Sequence, residues 1–190
     1  TSGFSSGELG LYGCCALGGI FPELRELSVG GFGLRGPSPQ IPSSPLCLPN
    51  LRILRVQRMC TSFVSANSES PHLSSGCLGS ILRLLIRQCP RLEALSLGHG
   101  RKYVPRNEVM PPFPRLGTAL ADPSVGLPEG LVMLHLSDML IDPSEVLGIA
   151  LAHLTFVRFV ACGPDAQAAA DTLATQCPAL TSQGCCVREW

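Results

Sequence analysis

Gly31-Phe32-Gly33-Leu34-Arg35-Gly36 follows a predicted strand and has the spacing of a dinucleotide-binding turn. In that chemistry a helix must open at once, so that its N-terminal amides face the pyrophosphate. The residues that follow are Pro37-Ser38-Pro39-Gln40-Ile41-Pro42, which block a helix. The run therefore reads as a flexible turn, and no cofactor is expected. The four histidines, His72, His99, His135 and His153, include no pair at the i, i+4 spacing of a helical metal site. His153 is expected to close a helix, where a cation suits the dipole. No Gly-x-Ser-x-Gly elbow is present for a serine hydrolase. The ten cysteines include no Cys-x-x-Cys, so no metal ligand set stands out. No catalytic residues can be chosen on chemical grounds, and an enzyme is not expected.

Other features limit the class of partner. Arg101-Lys102-Tyr103 with Arg106 is the one local basic run that holds an aromatic residue. It reads as a solvated loop, with a contact loop for an acidic partner as the alternative. Net charge is +0 and aromatics are 5% of the chain, which argues against nucleic acid. No apolar run reaches the 18 residues of a membrane span, so no membrane segment is expected. The first residue is Thr1 rather than Met, so the native start is expected upstream. Hydrophobic residues make up 45% and charged residues 15%, enough to bury a core without disulfide staples. Cys89, Cys162 and Cys177 fall where small apolar side chains are wanted, and reduced, buried thiols are expected there.

The elements around these residues follow an internal pattern. A Leu-x-x-Leu-x-Leu run recurs as Leu24/Leu27/Val29, Leu51/Leu54/Val56, Leu92/Leu95/Leu97, Leu131/Leu134/Leu136 and Leu154/Val157/Phe159. In so apolar a chain the bare template is cheap; the flanks give it weight. Phe21-Pro22-Glu23, Leu48-Pro49-Asn50 and Cys89-Pro90-Arg91 each precede a first leucine. Cys177-Pro178-Ala179-Leu180 opens a sixth, degenerate unit, and Leu127-Pro128-Glu129-Gly130 is one residue longer.

Helical stripes lie ahead of three of these runs. Leu78, Ile81, Leu82, Leu85 and Ile86 precede Leu92; Val146, Leu147, Ala150 and Leu151 precede Leu154; Ala166, Ala169, Ala170, Leu173 and Ala174 precede Leu180. Leu85, Leu147 and Leu173 keep one offset from the following strand leucine, as does Leu17 from Leu24. Such a fixed phase is what stacked units sharing a core require. Asp142-Pro143-Ser144-Glu145 reads as an N-cap, a first-turn proline and a capping-box glutamate. Gly163-Pro164-Asp165 is a looser start.

The unit that begins Cys89-Pro90-Arg91-Leu92-Glu93-Ala94-Leu95-Ser96-Leu97 resembles the cysteine-containing leucine-rich repeats of F-box-type and related cytosolic proteins. The resemblance runs over about Phe21–Leu180. Most of the units have the 20–29-residue period of that class, and two carry insertions, the Ser-rich 61–76 and the Pro-rich 101–129. The family's Asn or Cys, eight residues after the first leucine, is matched by Cys162; Phe32, Met59, Gly100 and Met139 stand at the equivalent positions. No F-box is recognisable.

The resemblance implies an α/β leucine-rich-repeat solenoid, with a curved parallel sheet on the concave face and helices or irregular returns on the convex face. Residues 1–20 would be an N-terminal cap or partial first repeat, 21–180 about five to six repeats, and 181–190 a C-terminal tail or cap. It also implies a protein–protein recognition module in the cytoplasm or nucleus. In its sharpest form this is the substrate-recognition part of a ubiquitin-ligase subunit, whose adaptor would bind through an upstream region. A scaffold or sensor array of another architecture, as in immune receptors, is the alternative.

Strand alternation predicts the binding surface. Ser28, Arg55, Ser96, His135 and Arg158 must point away from the leucines. So must Glu26, Ile53, Ala94, Met133 and Phe156, then Gly30, Gln57, Gly98, Ser137 and Val160. Of these columns, Arg55, His135, Phe156 and Arg158 are the leading contact residues, with Glu26, Gln57 and Met133 beside them.

Overall fold

The computed structural model describes residues 20–30, 32–33, 48–57, 59–60, 89–98, 127–147, 149 and 151–186. The stripe Leu78–Ile86, the insertion 61–76, most of 101–129, His72, His99 and the basic run Arg101–Arg106 lie outside them, as do Gly31 and 34–42 of the glycine-rich run.

The described chain is α/β. Its strands are β1 (Glu26–Val29), β2 (Phe32–Gly33), β3 (Ile53–Val56), β4 (Met59–Cys60), β5 (Ala94–Gly98), β6 (Met133–Ser137), β7 (Phe156–Val160) and β8 (Ser182–Cys186). Six of them form one parallel sheet in the order β1-β3-β5-β6-β7-β8, so chain order is spatial order; β2 and β4 form a parallel pair of their own. Two helices are described, α1 (Pro143–Val146) and α2 (Ala166–Gln176). β8 falls in the segment expected as a tail or cap and continues the sheet, with Gln183 opposite Val157 and Cys185 opposite Phe159.

The apolar-Pro-x-Leu header is a tight turn. In every unit the leucine N–H bonds the carbonyl three residues earlier: Leu24 to Phe21, Leu51 to Leu48, Leu92 to Cys89, Leu154 to Leu151 and Leu180 to Cys177, at 3.0–3.3 Å. Proline suits the second position of such a turn because its φ is already set. The longer header has its turn one residue later. Leu131 bonds Pro128, so Pro128 itself opens the turn and is buried. The turn-opening position is thus filled by buried Leu48, Cys89, Pro128, Leu151 and Cys177. Two of the cysteines therefore act as small apolar side chains.

A second contact repeats at each junction. The carbonyl of Arg25 accepts from the N–H groups of both Arg52 and Ile53 (2.8 and 3.0 Å). Arg52 does the same for Glu93 and Ala94, Glu93 for Val132 and Met133, Val132 for Thr155 and Phe156, and Thr155 for Thr181 and Ser182. One carbonyl therefore anchors the start of the next strand, five times over.

The register brings like residues together. Leu27, Leu54, Leu95, Leu134 and Val157 form one row, and Val29, Val56, Leu97, Leu136 and Phe159 the next. Leu51, Leu92, Leu131 and Leu154 are fully buried, whereas Leu24 and Leu180 at the two ends are only partly covered. Burying each such side chain contributes roughly 1.5–3 kcal/mol.

After β6 and β7 the chain turns through Asp138 (φ 55°) and Ala161 (φ 53°), at equivalent positions. The next residues, Met139 and Cys162, are both buried, so a methionine fills the place that the resemblance gives to Asn or Cys. The Cys162 thiol donates toward the carbonyls of Leu136 (3.3 Å) and Val160 (3.4 Å), tying one turn to the strand before it. Of the other departures, Phe32 pairs with Met59 in the β2–β4 ladder, and Gly100 lies outside the described residues.

The helical expectations hold in part. Asp142 caps α1: its Oδ1 accepts from the Ser144 N–H at 2.8 Å and from the Ser144 hydroxyl at 2.6 Å. Ala166, Ala169, Ala170 and Leu173 are the buried face of α2. Ala174, expected on that stripe, is exposed. Leu147 is also a correction: it is 55% exposed, because α1 ends at Val146 and the core is met instead by Val146, Ile149 and Leu151. His153 closes no helix; it lies exposed in the turn from Leu151 to Leu154. Asp165 makes no side-chain cap, and the preceding turn uses Gly163 at φ +86°, where a Cβ would also stand 2.9 Å from Leu140 Cδ2.

Two outcomes check this packing. Leu95→Ala, at a site 1% exposed, is expected to lower unfolding free energy by roughly 2–5 kcal/mol in denaturant melts, whereas Leu147→Ala should leave the midpoint nearly unchanged. An unaltered melt for Leu95→Ala would place that side chain outside the core. Cys89, Cys162 and Cys177 should react with a thiol reagent only after unfolding; rapid labelling of all three in the native protein would contradict their burial.

Candidate functional site

The face of the sheet opposite the leucine rows carries the columns that alternation demands. Glu26, Ile53, Ala94, Met133, Phe156 and Ser182 lie in register, as do Ser28, Arg55, Ser96, His135, Arg158 and Gly184. Arg55, Arg158, Glu26 and Met133 are exposed, and His135 and Phe156 are half-buried. Gln57 is exposed just past β3, where its N–H bonds Val29. All seven candidate residues therefore lie on one side of one sheet, opposite the core.

The third column is partly closed, which the sequence reading did not anticipate. Gly98 is buried, and a Cβ there would meet the Gln57 carbonyl oxygen at 2.5 Å and Ser137 Oγ at 2.8 Å. Glycine is required by close approach of the neighbouring backbone. Gly98 therefore offers no accessible side chain in that column.

Charges on this face are unevenly shared. Arg55 forms an ion pair with Glu26 on the adjacent strand. Just before the strands, Arg52 and Glu93 pair at 3.1 Å. Both pairs are solvent-exposed and contribute little to stability. Toward the other end, His135 Nδ1 and Ser96 Oγ are 3.3 Å apart, while His135 Nε2 is buried with no hydrogen-bond partner among the described residues. Burial lowers the His135 pKa below its ordinary 6.5, and the Arg158 guanidinium on the next strand lowers it further.

One exposed apolar residue escaped the sequence reading. Val132, directly before Met133, is 40% exposed, as is Met133 itself. The signal was available: Arg25, Arg52, Glu93, Thr155 and Thr181 hold the equivalent place, and Val132 alone is apolar there. Its carbonyl anchors Thr155 and Phe156, so backbone anchoring and apolar exposure meet at one residue.

Among the described residues no group of His, Cys, Asp and Glu has metal-binding geometry, and no helix is long and apolar enough to cross a membrane. Compared with protein-family models, curated proteins and solved structures, the chain finds no match.

The His135 shift fixes a sign. Because the folded pKa lies below the unfolded value, the unfolded chain binds more protons in the interval between them. The stability from the neutral ring is complete above about 6.5 and is lost as pH falls through that value toward the folded one. Imidazole NMR should give a His135 midpoint below 6.5 that rises in Arg158→Gln. A midpoint at 6.5 that ignores the substitution would remove both causes.

Proposed function

We propose that the chain is a protein–protein recognition module of the leucine-rich-repeat type, binding its partner on the open face of the sheet. The observation that carries this reading is the register. All-parallel sheets are ordinarily covered on both faces, because their crossover connections pack there. Here one face is packed with leucine rows and the other presents Arg, His, Met and Phe in columns. One-sided parallel sheets suit stacked units whose connections all return on the same side, and the surface left over is broad and preformed. The turns and shared carbonyls that recur at each junction support the same stacked-unit reading.

A preformed face with hot-spot residue types is suited to recognition rather than bond-making. In its sharpest form the module is the substrate-recognition part of an F-box ubiquitin-ligase subunit, an idea that rests on the Cys89–Leu97 resemblance alone. An F-box encoded upstream in the full-length transcript would support that form. A nucleotide-binding domain there would favour an immune-receptor-like sensor.

The test is quantitative co-purification from cells with wild type and with separate alanine variants at Arg55, His135, Phe156 and Arg158. Partners are expected to fall at least tenfold, about 1.4 kcal/mol, in one or more variants while the melting curves stay close to wild type. Undiminished capture by all four variants would move binding off this face.

A further inference from the structure

The two exposed arginines of the open face differ in their neighbours. Arg55 is compensated by Glu26 on the next strand. Arg158 forms no ion pair among the described residues. Its register neighbours are His135 on β6 and Gly184 on β8, neither of them an acid. Gly184 presents no side chain, and the place of an added Cβ lies 4.0 Å from Arg158 Cγ, so the arginine stem runs past this position with no β8 side chain beside it. One step along the face, two residues earlier on each strand, lie exposed Met133 and half-buried Phe156.

We propose that this corner docks an acidic peptide segment of a partner protein in extended form, with a carboxylate on Arg158 and an apolar side chain on Met133 and Phe156. The inference rests on the open-face reading and names the partner's chemistry. An uncompensated guanidinium favours a carboxylate, which accepts two parallel N–H bonds from its fork. The apolar and cationic columns are two residues apart along the strands, about 6.6 Å at 3.3 Å per residue. Alternate side chains of an extended peptide have the same separation. The motif is therefore Asp or Glu spaced by one residue from Leu, Ile, Met or Phe. A nucleic-acid strand fits less well: its phosphates call for a track of cations, and this corner offers one arginine beside apolar side chains.

The test is selection of a random 12-residue peptide display library on the full chain. Binders are then measured by fluorescence polarisation against wild type, Arg158→Glu, Arg158→Gln and Met133→Asp, with melting curves for each. The expected binders carry the acidic-x-apolar spacing and lose at least tenfold in affinity on either Arg158 substitution and on Met133→Asp. Neutral or basic binders that need Met133 but ignore Arg158 would overturn the acidic specificity and leave the open-face reading standing. Binders indifferent to all three substitutions, or no binders, would overturn both. A single-stranded 12-mer oligonucleotide held as tightly, and as dependent on Arg158, would overturn the choice of a peptide.

Discussion

Every strand of the main sheet after β1 starts from a carbonyl that the previous unit supplies. Arg25, Arg52, Glu93, Val132 and Thr155 each accept two N–H groups from the unit that follows. This places each strand in register before any side chain is considered. In a parallel sheet a slip by one residue would turn the leucine rows outward and bury Arg, His and Met. The turn ahead of each strand removes the remaining freedom, because its leucine N–H is already bonded three residues back. Backbone geometry and hydrophobic burial thus specify one alignment, and neither alone would have to hold it.

The open face follows from that alignment. Leucines taken into the core at one parity leave the other parity to solvent, whatever residues the chain puts there. Some of those residues are restrained. Gly98 admits the Gln57 carbonyl and can be nothing larger without displacing it. Others carry charge or apolar area that the fold does not use: Arg158 is without an acid among the described residues, and Met133 and Val132 are 40% exposed, Val132 at a place where the other units have polar residues. His135 sits between these two kinds of residue, its pKa lowered by burial and by Arg158. Function is sought where the requirements of the fold end.

Much of this was legible in the residues. The Leu-x-x-Leu-x-Leu spacing located β1, β3, β5, β6 and β7 and paired their columns, because a period-two pattern leaves one choice of face. Cys89, Cys162 and Cys177 were legible as buried thiols from their place in the units. What escaped depends on distances that spacing cannot supply. Leu147 shares the offset of Leu173, but α1 stops one residue earlier and turns it to solvent. Pro128 follows an apolar residue as the other header prolines do, yet it takes the first turn position, because the extra Gly130 shifts the turn by one. The Glu26–Arg55 pair joins two columns and the Ser96–His135 contact lies within one; the members were legible, their partners were not. β8 carries Gln183 where earlier strands have leucine or valine; its amide reaches Asp171 of α2 at 3.3 Å, so a polar contact replaces burial at this edge.

The register separates the leucine rows from the columns of the opposite face. Nuclear Overhauser contacts between side chains on β5, β6 and β7 measure it most directly. This register gives cross-peaks between the methyl groups of Leu95 and Leu134, and between the Met133 methyl and the Phe156 ring, with no contact between Leu95 and Met133 of core strength. Strong Leu95–Met133 contacts in place of Leu95–Leu134 would mean a strand shifted by one residue, and with it an inverted face.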